Sequence, residues 1–157
     1  MSKLILLAAA ALLATSFAAN AVQCRQASPT AAAEMLAAVN AERAASGRAP
    51  LAQDPRLDAA AQAHACDMAT NGFFDHRGSS GSDVSARVRG VGVSSCTTAE
   101  NIAYGWRTAA QVMAGWMESS GHRANILRGN VAAIGFGYVP AEGGAGPWWV
   151  QVFARPC

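Results

Sequence analysis

Two imidazoles and one carboxylate have the side-chain chemistry of a polar binding or catalytic site. Glu100 lies in the loop that leads into a predicted helix, His122 follows the C-terminal end of that helix, and His76 precedes a glycine- and serine-rich loop. Two imidazoles and one carboxylate are the smallest set that leaves an open position on a divalent metal such as zinc. His76 and His122 are therefore the candidate metal ligands, and Glu100 is the candidate catalytic base. Their spacings are long and no HExxH motif is present, so spacing alone leaves a shared site open.

The same residues are also compatible with a serine hydrolase or with a purely structural role. Ser119 and Ser120 lie close to His122, as a serine hydrolase would require, but the GxSxG turn of such enzymes is absent. The nearest match, at 78–82, has serine where the final glycine is needed. His64 falls on the apolar stripe of a predicted helix, so we expect a packed histidine held by one hydrogen bond. A further interpretation, in which the histidines and the glutamate only hold loops together, stays open.

The elements that position these residues are predicted from hydrophobic periodicity. Four helices precede a hairpin of two strands; the helices are 29–45, 55–70, 82–89 and 108–120, and the strands are 134–138 and 149–153. Helices followed by a hairpin are typical of an α+β fold, in which helices cover an antiparallel sheet. The first predicted strand has glycines on one face, which indicates that another backbone or a ligand comes close there.

Composition and the first residues narrow the class of protein. The chain has 157 residues and a formal net charge of +2, which is too small to favour nucleic acid as a partner. Residues 1–21 have the basic start, apolar run and small-residue pattern of a cleaved signal peptide, so we expect one secreted or periplasmic domain over 22–157. The apolar run is shorter than the ~20 residues that span a bilayer, so no stable membrane span is expected after cleavage. Lipidation of Cys24 is the alternative, and Gln23 argues against it because a small residue is expected before a lipidated cysteine.

All four cysteines follow the predicted cleavage site. An even number in an exported chain indicates two disulfides, for which three pairings are possible. We favour Cys24–Cys157, because it would join chain ends that usually lie close together, and this leaves Cys66–Cys96. Zinc binding by thiolates competes with this interpretation, but no two cysteines have CxxC spacing.

A series of short motifs resembles one known family. The most specific are AENIAYG at 99–105 and WMESSGHRANIL at 116–127, with FDH at 74–76, GFG at 135–137 and WVQVF at 149–153 in the same order. Over nearly all of 22–157 the chain is similar to bacterial, SCP-like members of the CAP superfamily, which contains cysteine-rich secretory proteins, insect antigen 5 and plant pathogenesis-related proteins. This resemblance implies a three-layer α-β-α sandwich with a central antiparallel sheet and a central cleft.

The resemblance also implies which residues line that cleft. In animal and plant members it holds two histidines and two glutamates and is associated with a divalent metal. His76 matches the first histidine and Glu100 the first glutamate, whereas Ser119 and Trp148 stand where the second glutamate and second histidine belong. Bacterial relatives use the histidine of the SGHR motif, His122, instead. We therefore expect His76, Glu100, His122 and Ser119 to share the cleft.

The incomplete ligand set favours a function without catalysis. With no recognised nucleophile, we expect a monomeric, non-enzymatic binding module that recognises a small ligand, lipid, glycan or extracellular protein. The alternative is a metal-dependent hydrolase, in which zinc on His76 and His122 would activate water and Glu100 would accept its proton.

Overall fold

The computed structural model describes Cys24 and residues 29–157, and within these ranges five helices pack around a four-stranded sheet. The helices are α1 (Pro29–Ala45), α2 (Pro55–Asn71), α3 (Val84–Gly90), α4 (Ala109–Glu118) and α5 (Ser120–Ile126). The strands are β1 (Ala52–Gln53), β2 (Ser95–Tyr104), β3 (Ala133–Val139) and β4 (Trp148–Pro156). The predicted signal peptide, residues 1–21, lies outside the described residues.

The sheet has the order β1-β3-β4-β2. The predicted hairpin is confirmed, since β3 and β4 are antiparallel with Ile134 opposite Phe153. β2 pairs antiparallel with the other side of β4, whereas the short edge strand β1 runs parallel to β3. The sheet predicted as antiparallel is therefore antiparallel in its three long strands and mixed at one edge.

Two hydrophobic cores lie on opposite faces of this sheet, which gives the predicted three-layer α+β architecture. One core joins the sheet to α1, α4 and α5, and includes Met35, Val39, Trp116, Phe136 and Phe153. The other joins it to α2 and α3, and includes Leu57, Met68, Val88, Val150 and Val152. Successive residues of β4 alternate between the two cores, as the pleat of a strand requires.

Helix α2 lies directly against β3 because two glycines permit it. A Cβ atom added to Gly135 would overlap the backbone of residues 57–58, and one added to Gly137 would overlap the backbone of 61–62. The expectation that another backbone approaches these glycines is confirmed. Side chains of α2 also accept hydrogen bonds from the backbone of β3: Phe136 N donates to Asp58 Oδ1 at 2.8 Å and Tyr138 N to Gln62 Oε1 at 2.9 Å. Amides that extend beyond the short β1 are thereby paired.

Two local predictions around the site are wrong. Glu100 lies in strand β2 rather than in a loop. Residues 99–103 are all buried, because helices cover both faces of the sheet, so the alternation that marks a half-exposed strand is missing. The predicted single helix over 108–120 divides at Ser119, whose backbone is extended (φ −88°, ψ 120°). His122 therefore lies in the first turn of α5, not beyond a helix C-terminus.

The predicted disulfides are also wrong. Cys96 pairs with Cys157, with 5.1 Å between their Cα atoms, while Cys24 and Cys66 are outside that bond. The pairings Cys24–Cys157 and Cys66–Cys96 fail because the first residue of β2 pairs with the last residue of β4. This register places the cysteine near the start of β2 beside the end of the chain.

Within the described ranges no helix is both long and apolar enough to cross a membrane.

Candidate functional site

The carboxylate of Glu100 is the centre of a buried polar cluster. Its side chain is 2% exposed, and each oxygen has a positively charged or hydrogen-donating partner. Oε1 accepts a hydrogen bond from Nδ1 of His76 at 2.8 Å, and Oε2 accepts one from Nη2 of Arg87 at 2.8 Å. A buried carboxylate is tolerated only with such partners, because an isolated charge is very costly away from water.

Helix α3 supplies the counter-charge for Glu100. Asp83 caps its first turn by accepting a hydrogen bond from Ala86 N at 2.7 Å. One turn on, Arg87 donates from Nη2 to the backbone oxygen of His76 at 3.0 Å as well as to Glu100. Arg87 thus holds both the carboxylate and the loop that carries the imidazole. Arg87 was not predicted as a site residue, since an arginine in a short predicted helix carries no signal of its own.

His64 is the packed histidine that its position in α2 predicts. Its Nε2 donates to the backbone oxygen of Asp75 at 2.9 Å, and the ring is fully buried. Burial lowers the pKa of His64, so the neutral imidazole is favoured. The same Nε2 is 3.8 Å from Glu100 Oε1, so this histidine also belongs to the surroundings of the carboxylate. We refer to Glu100, His76, Arg87 and His64 as the Glu100 cluster.

His122 approaches the cluster from the other helical layer. Asn125 in α5 donates to the backbone oxygen of Glu100 at 3.1 Å, and Asn101 donates to the backbone oxygen of His122 at 3.2 Å. These bonds tie α5 to β2 and place the half-buried ring of His122 beside Trp116, with 6.4 Å between ring centroids. Both asparagines lie within the family-like motifs, but no role was predicted for either from the sequence.

The two candidate imidazoles have pKa values that move in opposite directions. The hydrogen bond to Glu100 raises the pKa of His76, and this outweighs the effect of burial. Burial lowers the pKa of His122, and charge on His76 lowers it further. His76 and Glu100 are in direct contact, whereas among the described residues the ring of His122 has no hydrogen bond to either.

An open groove of about 420 Å³ extends from His122 and Ser119, and we call it the aromatic groove. Its other lining residues are Phe74, Ile102, Ala103, Tyr104, Trp106, Gly115 and Trp116. Phe74, Tyr104 and Trp106 are 50%, 45% and 44% exposed, and they are the large hydrophobic side chains that the described residues leave exposed. Tyr104 and Trp106 are thus at the groove rim, whereas Trp148 is buried against Tyr104 with 5.1 Å between their ring centroids.

Trp106 is held in place by contacts on two sides. Its backbone oxygen accepts a hydrogen bond from Nε1 of Trp149 at 2.8 Å. Its ring lies on Gly115 of α4, where an added Cβ would be 3.1 Å from Cζ2 of the indole. A glycine in the middle of α4 therefore makes room for the exposed ring rather than for a backbone turn.

Comparison with known proteins decides the family. The model of the cysteine-rich secretory protein family, CAP, matches residues 36–153. The chain belongs to the CAP family. It is 40% identical over 114 residues to protein YkwD of Bacillus subtilis, covering 73% of this chain and 43% of that protein. It is 29% identical over 108 residues to the membrane protein YlbC of the same organism, covering 69% of this chain and 31% of that protein. The chain thus spans less than half the length of these curated relatives.

Solved structures share the CAP fold with this domain. An extracellular protein with an SCP domain from Bacillus anthracis matches with a TM-score of 0.71 and 25% identity, covering 80% of this chain and 40% of that one. An outer surface protein from Borrelia burgdorferi matches with a TM-score of 0.74 and 18% identity, covering 80% of this chain and 92% of that one. At the lower identity the likeness shows the fold alone.

Within the described residues, the donor atoms around Glu100 are fewer than a catalytic zinc site needs. Among the described residues, no three or more His, Cys, Asp or Glu side chains are grouped to hold a metal ion. Both oxygens of Glu100 are engaged by Arg87 and His76, so that carboxylate is not free to serve as a ligand. Nε2 of His76 and the ring of His122 remain, and two ligands are fewer than the three protein ligands of a catalytic zinc site.

Proposed function

We propose that this CAP domain is an exported, non-enzymatic binding module whose ligand occupies the aromatic groove, contacts His122 in its lining and extends from there towards His76, which does not line the groove. One observation carries the proposal. The exposed large hydrophobic side chains of the described residues, Phe74, Tyr104 and Trp106, all line this one groove. Exposed aromatic surface gathered in one place is typical of a binding site, whereas scattered exposed rings need no explanation.

The chemistry of the groove defines what the ligand must offer. A volume of about 420 Å³ is within the range of small-molecule sites, which is ~300–1,000 Å³. The ligand needs an apolar face for the three rings and a polar or anionic group for the imidazoles. His76 suits such a group, since its raised pKa favours the protonated form and Nδ1 is already bound to Glu100. A small ligand, a lipid, a glycan or a segment of an extracellular protein meets these requirements.

Three features of the site support binding rather than catalysis. Glu100, the candidate base, has both oxygens occupied and a side chain that is 2% exposed. In the described part of the chain, no serine hydroxyl and no cysteine thiol is hydrogen-bonded to the ring of His76 or His122, although such a bond is typical of an activated nucleophile. The thiol of Cys66 interacts with Cys24 and Gln62 instead of with either imidazole.

Export is supported by three independent points. The relative from Bacillus anthracis, which is 25% identical to this chain, is described as an extracellular protein. The Cys96–Cys157 disulfide is of a kind that persists outside the reducing cytoplasm. Residues 1–21 have the sequence pattern of a signal peptide.

Ligand titration of groove variants tests the proposal. A fatty acid, a soluble oligosaccharide and a short peptide are titrated into the protein, and binding is followed by tryptophan fluorescence and calorimetry. Any ligand that binds should lose about tenfold or more in affinity when Tyr104 and Trp106 are both changed to alanine. Tyr138→Phe is the control, since Tyr138 lies outside the aromatic groove and the phenylalanine that replaces it retains an aromatic ring.

Three outcomes would contradict this proposed binding function. Ligands that bind the double variant as tightly as the natural protein place the site elsewhere. Hydrolysis of ester or glycoside substrates that needs added zinc and is abolished by Glu100→Gln establishes the metal-dependent hydrolase instead. Failure of every ligand class to bind, together with native mass spectra that show no molecule retained during purification, removes the binding function.

A further inference from the structure

Cys24 and Cys66 lie outside the Cys96–Cys157 bond and interact with each other. Burial raises the pKa of the Cys66 thiol most, and the side chain of Cys24 raises it further. Sγ of Cys24 is also 4.0 Å from Oγ1 of Thr70. Thr70 follows Cys66 by four residues in α2, so both side chains are on the same face of that helix. The contact with Thr70 therefore places Cys24 over the face of α2 that carries Cys66.

We propose that Cys24 and Cys66 form a second disulfide, which fastens the segment preceding α1 to α2. The folded chain already contains one disulfide, Cys96–Cys157, so its environment is one in which disulfides form. Together with Cys96–Cys157, this bond would pair all four cysteines of the chain, in agreement with their even number, but in a pairing other than the one favoured from sequence.

The exposure of the two thiols sets the order of the reaction. Cys24 is exposed, whereas Cys66 is partly buried. The sulfur of Cys66 accepts a hydrogen bond of 3.5 Å from Nε2 of Gln62. The accessible Cys24 thiolate attacks one sulfur of a disulfide-bearing oxidant, either a disulfide oxidoreductase or a small disulfide, and expels the first thiolate. The Cys66 thiolate then attacks the Cys24 sulfur and expels the second. Two protons leave the cysteines, and two electrons reduce the disulfide of the oxidant to two thiols.

The position of the crosslink gives it a role in the architecture. Helix α1 packs in the core on one face of the sheet, and α2 packs in the core on the other face. Because Cys24 precedes α1 and Cys66 lies in α2, a bond between them adds a covalent link between the two helical layers. Helix α2 also carries His64, two residues before Cys66, and leads into the loop that presents Phe74 and His76. The crosslink steadies the helix on which this side of the site is built, independently of what the site binds.

A peptide map of the unreduced protein tests the proposal directly. The full chain is produced with export to an oxidising compartment, denatured, treated with iodoacetamide without reductant, and digested. We expect no alkylated cysteine, and a linked pair of peptides that contain Cys24 and Cys66. Alkylation of both residues, a Cys24–Cys24 dimer, a pairing with Cys96 or Cys157, or a lipid on Cys24 overturns the proposal.

Single variants and thermal unfolding provide a second measurement. Cys66→Ser should convert Cys24 from an unreactive to an alkylatable residue, which an already free Cys24 would not show. In a Cys96→Ala/Cys157→Ala background, reductant should lower the melting temperature by about 10 °C, and the further change Cys24→Ala should remove this effect of reductant. An equal response to reductant with and without Cys24 contradicts the crosslink. If that background does not fold, the peptide map of the natural chain decides alone.

Discussion

Among single residues, Glu100 has the surroundings that most limit what the site can do. A carboxylate that is 2% exposed and bonded to Arg87 and His76 is suited to orienting an imidazole, with Nε2 of that imidazole turned away from the bond. The sequence identified Glu100 and His76, because both lie in family-like motifs. It did not identify Arg87, whose importance comes from the packing of α3 against β2.

Removing Glu100 should therefore cost stability. Glu100→Ala leaves the guanidinium of Arg87, with a side chain that is 9% exposed, without its counter-charge. We expect a loss of about 3–5 kcal/mol in the free energy of unfolding, measured by urea denaturation. The exposed Glu118 is the matched control, and Glu118→Ala should change stability by less than about 0.5 kcal/mol. Equal effects of the two changes would show that the cluster does not depend on the buried charge.

The folded-state pKa values of the two imidazoles should lie on opposite sides of 6.5, that of His76 above it and that of His122 below it. Because the folded pKa of His76 is raised, its protonation stabilises the fold fully below the unfolded pKa of about 6.5, and this stabilisation is lost as pH rises through the folded value. Because the folded pKa of His122 is lowered, its contribution is full above about 6.5 and is lost as pH falls through the folded value. Buried His64 contributes with the same sign as His122.

NMR titration of the histidine ring protons tests this order, with His76→Gln and His122→Gln used for assignment. The ring of His76 should titrate above, and that of His122 below, the value for histidine in the unfolded chain. In His76→Gln the pKa of His122 should rise, since the neighbouring positive charge is gone. Identical titration of the two rings would contradict the hydrogen bond between His76 and Glu100.

At the level of whole elements, the sequence predicts those helices and strands that have a clear hydrophobic period or a capping residue. Helix α2 begins at Pro55 after its Asp54 cap and ends before Gly72, whose φ of 67° needs glycine, and both signals are visible in the sequence. β2 was not predicted as a strand, because burial on both faces removes its alternation. The break at Ser119 was missed as well, since the hydrophobic periodicity continues through it. The disulfide of Cys96 depends on strand register, which no local pattern contains.

The close packing of α2 on β3 makes a prediction that belongs to these elements. Gly137→Ala would force a Cβ atom into the backbone of α2, so we expect a loss of about 3 kcal/mol in unfolding free energy. Gly121→Ala is the control, because an added Cβ there has no atom within 4 Å and alanine favours the helix by ~0.5–1 kcal/mol. Urea unfolding of both variants measures the difference. Similar stabilities would mean that α2 moves away from the sheet at little cost.

For the molecule as a whole, the site exists because three layers meet at one sheet edge. β2 is an edge strand of the sheet and carries Glu100. The layer of α2 and α3 brings His76 and Arg87 to it, while α5, in the other layer, brings His122 and bonds β2 through Asn125. Residues far apart in sequence thus converge, as the resemblance to the CAP family implied. The sequence alone did not predict which residue pairs with each charged side chain, since the partners come from separate layers.

Arg43 is the residue through which this layered arrangement is tested most directly. Its side chain is buried, and it donates to the backbone oxygens of Ala49 at 2.7 Å, Ile126 at 2.7 Å and Arg128 at 2.9 Å. It therefore joins α1 to the following loop and to the end of α5, the helix that carries His122.

Arg43→Met keeps much of the apolar stem but leaves the three carbonyl oxygens without these donors, so we expect a loss of about 3 kcal/mol in unfolding free energy. Hydrogen exchange should become faster in α5 before it does in β4, since α5 loses a direct contact with Arg43. Arg56→Met is the control: Arg56 is exposed and bonds to Asp54 at 2.7 Å, so its loss should change stability by less than about 1 kcal/mol. Unchanged exchange in α5 of the Arg43 variant would show that Asn101 and Asn125 hold this helix, and His122 with it, without help from α1.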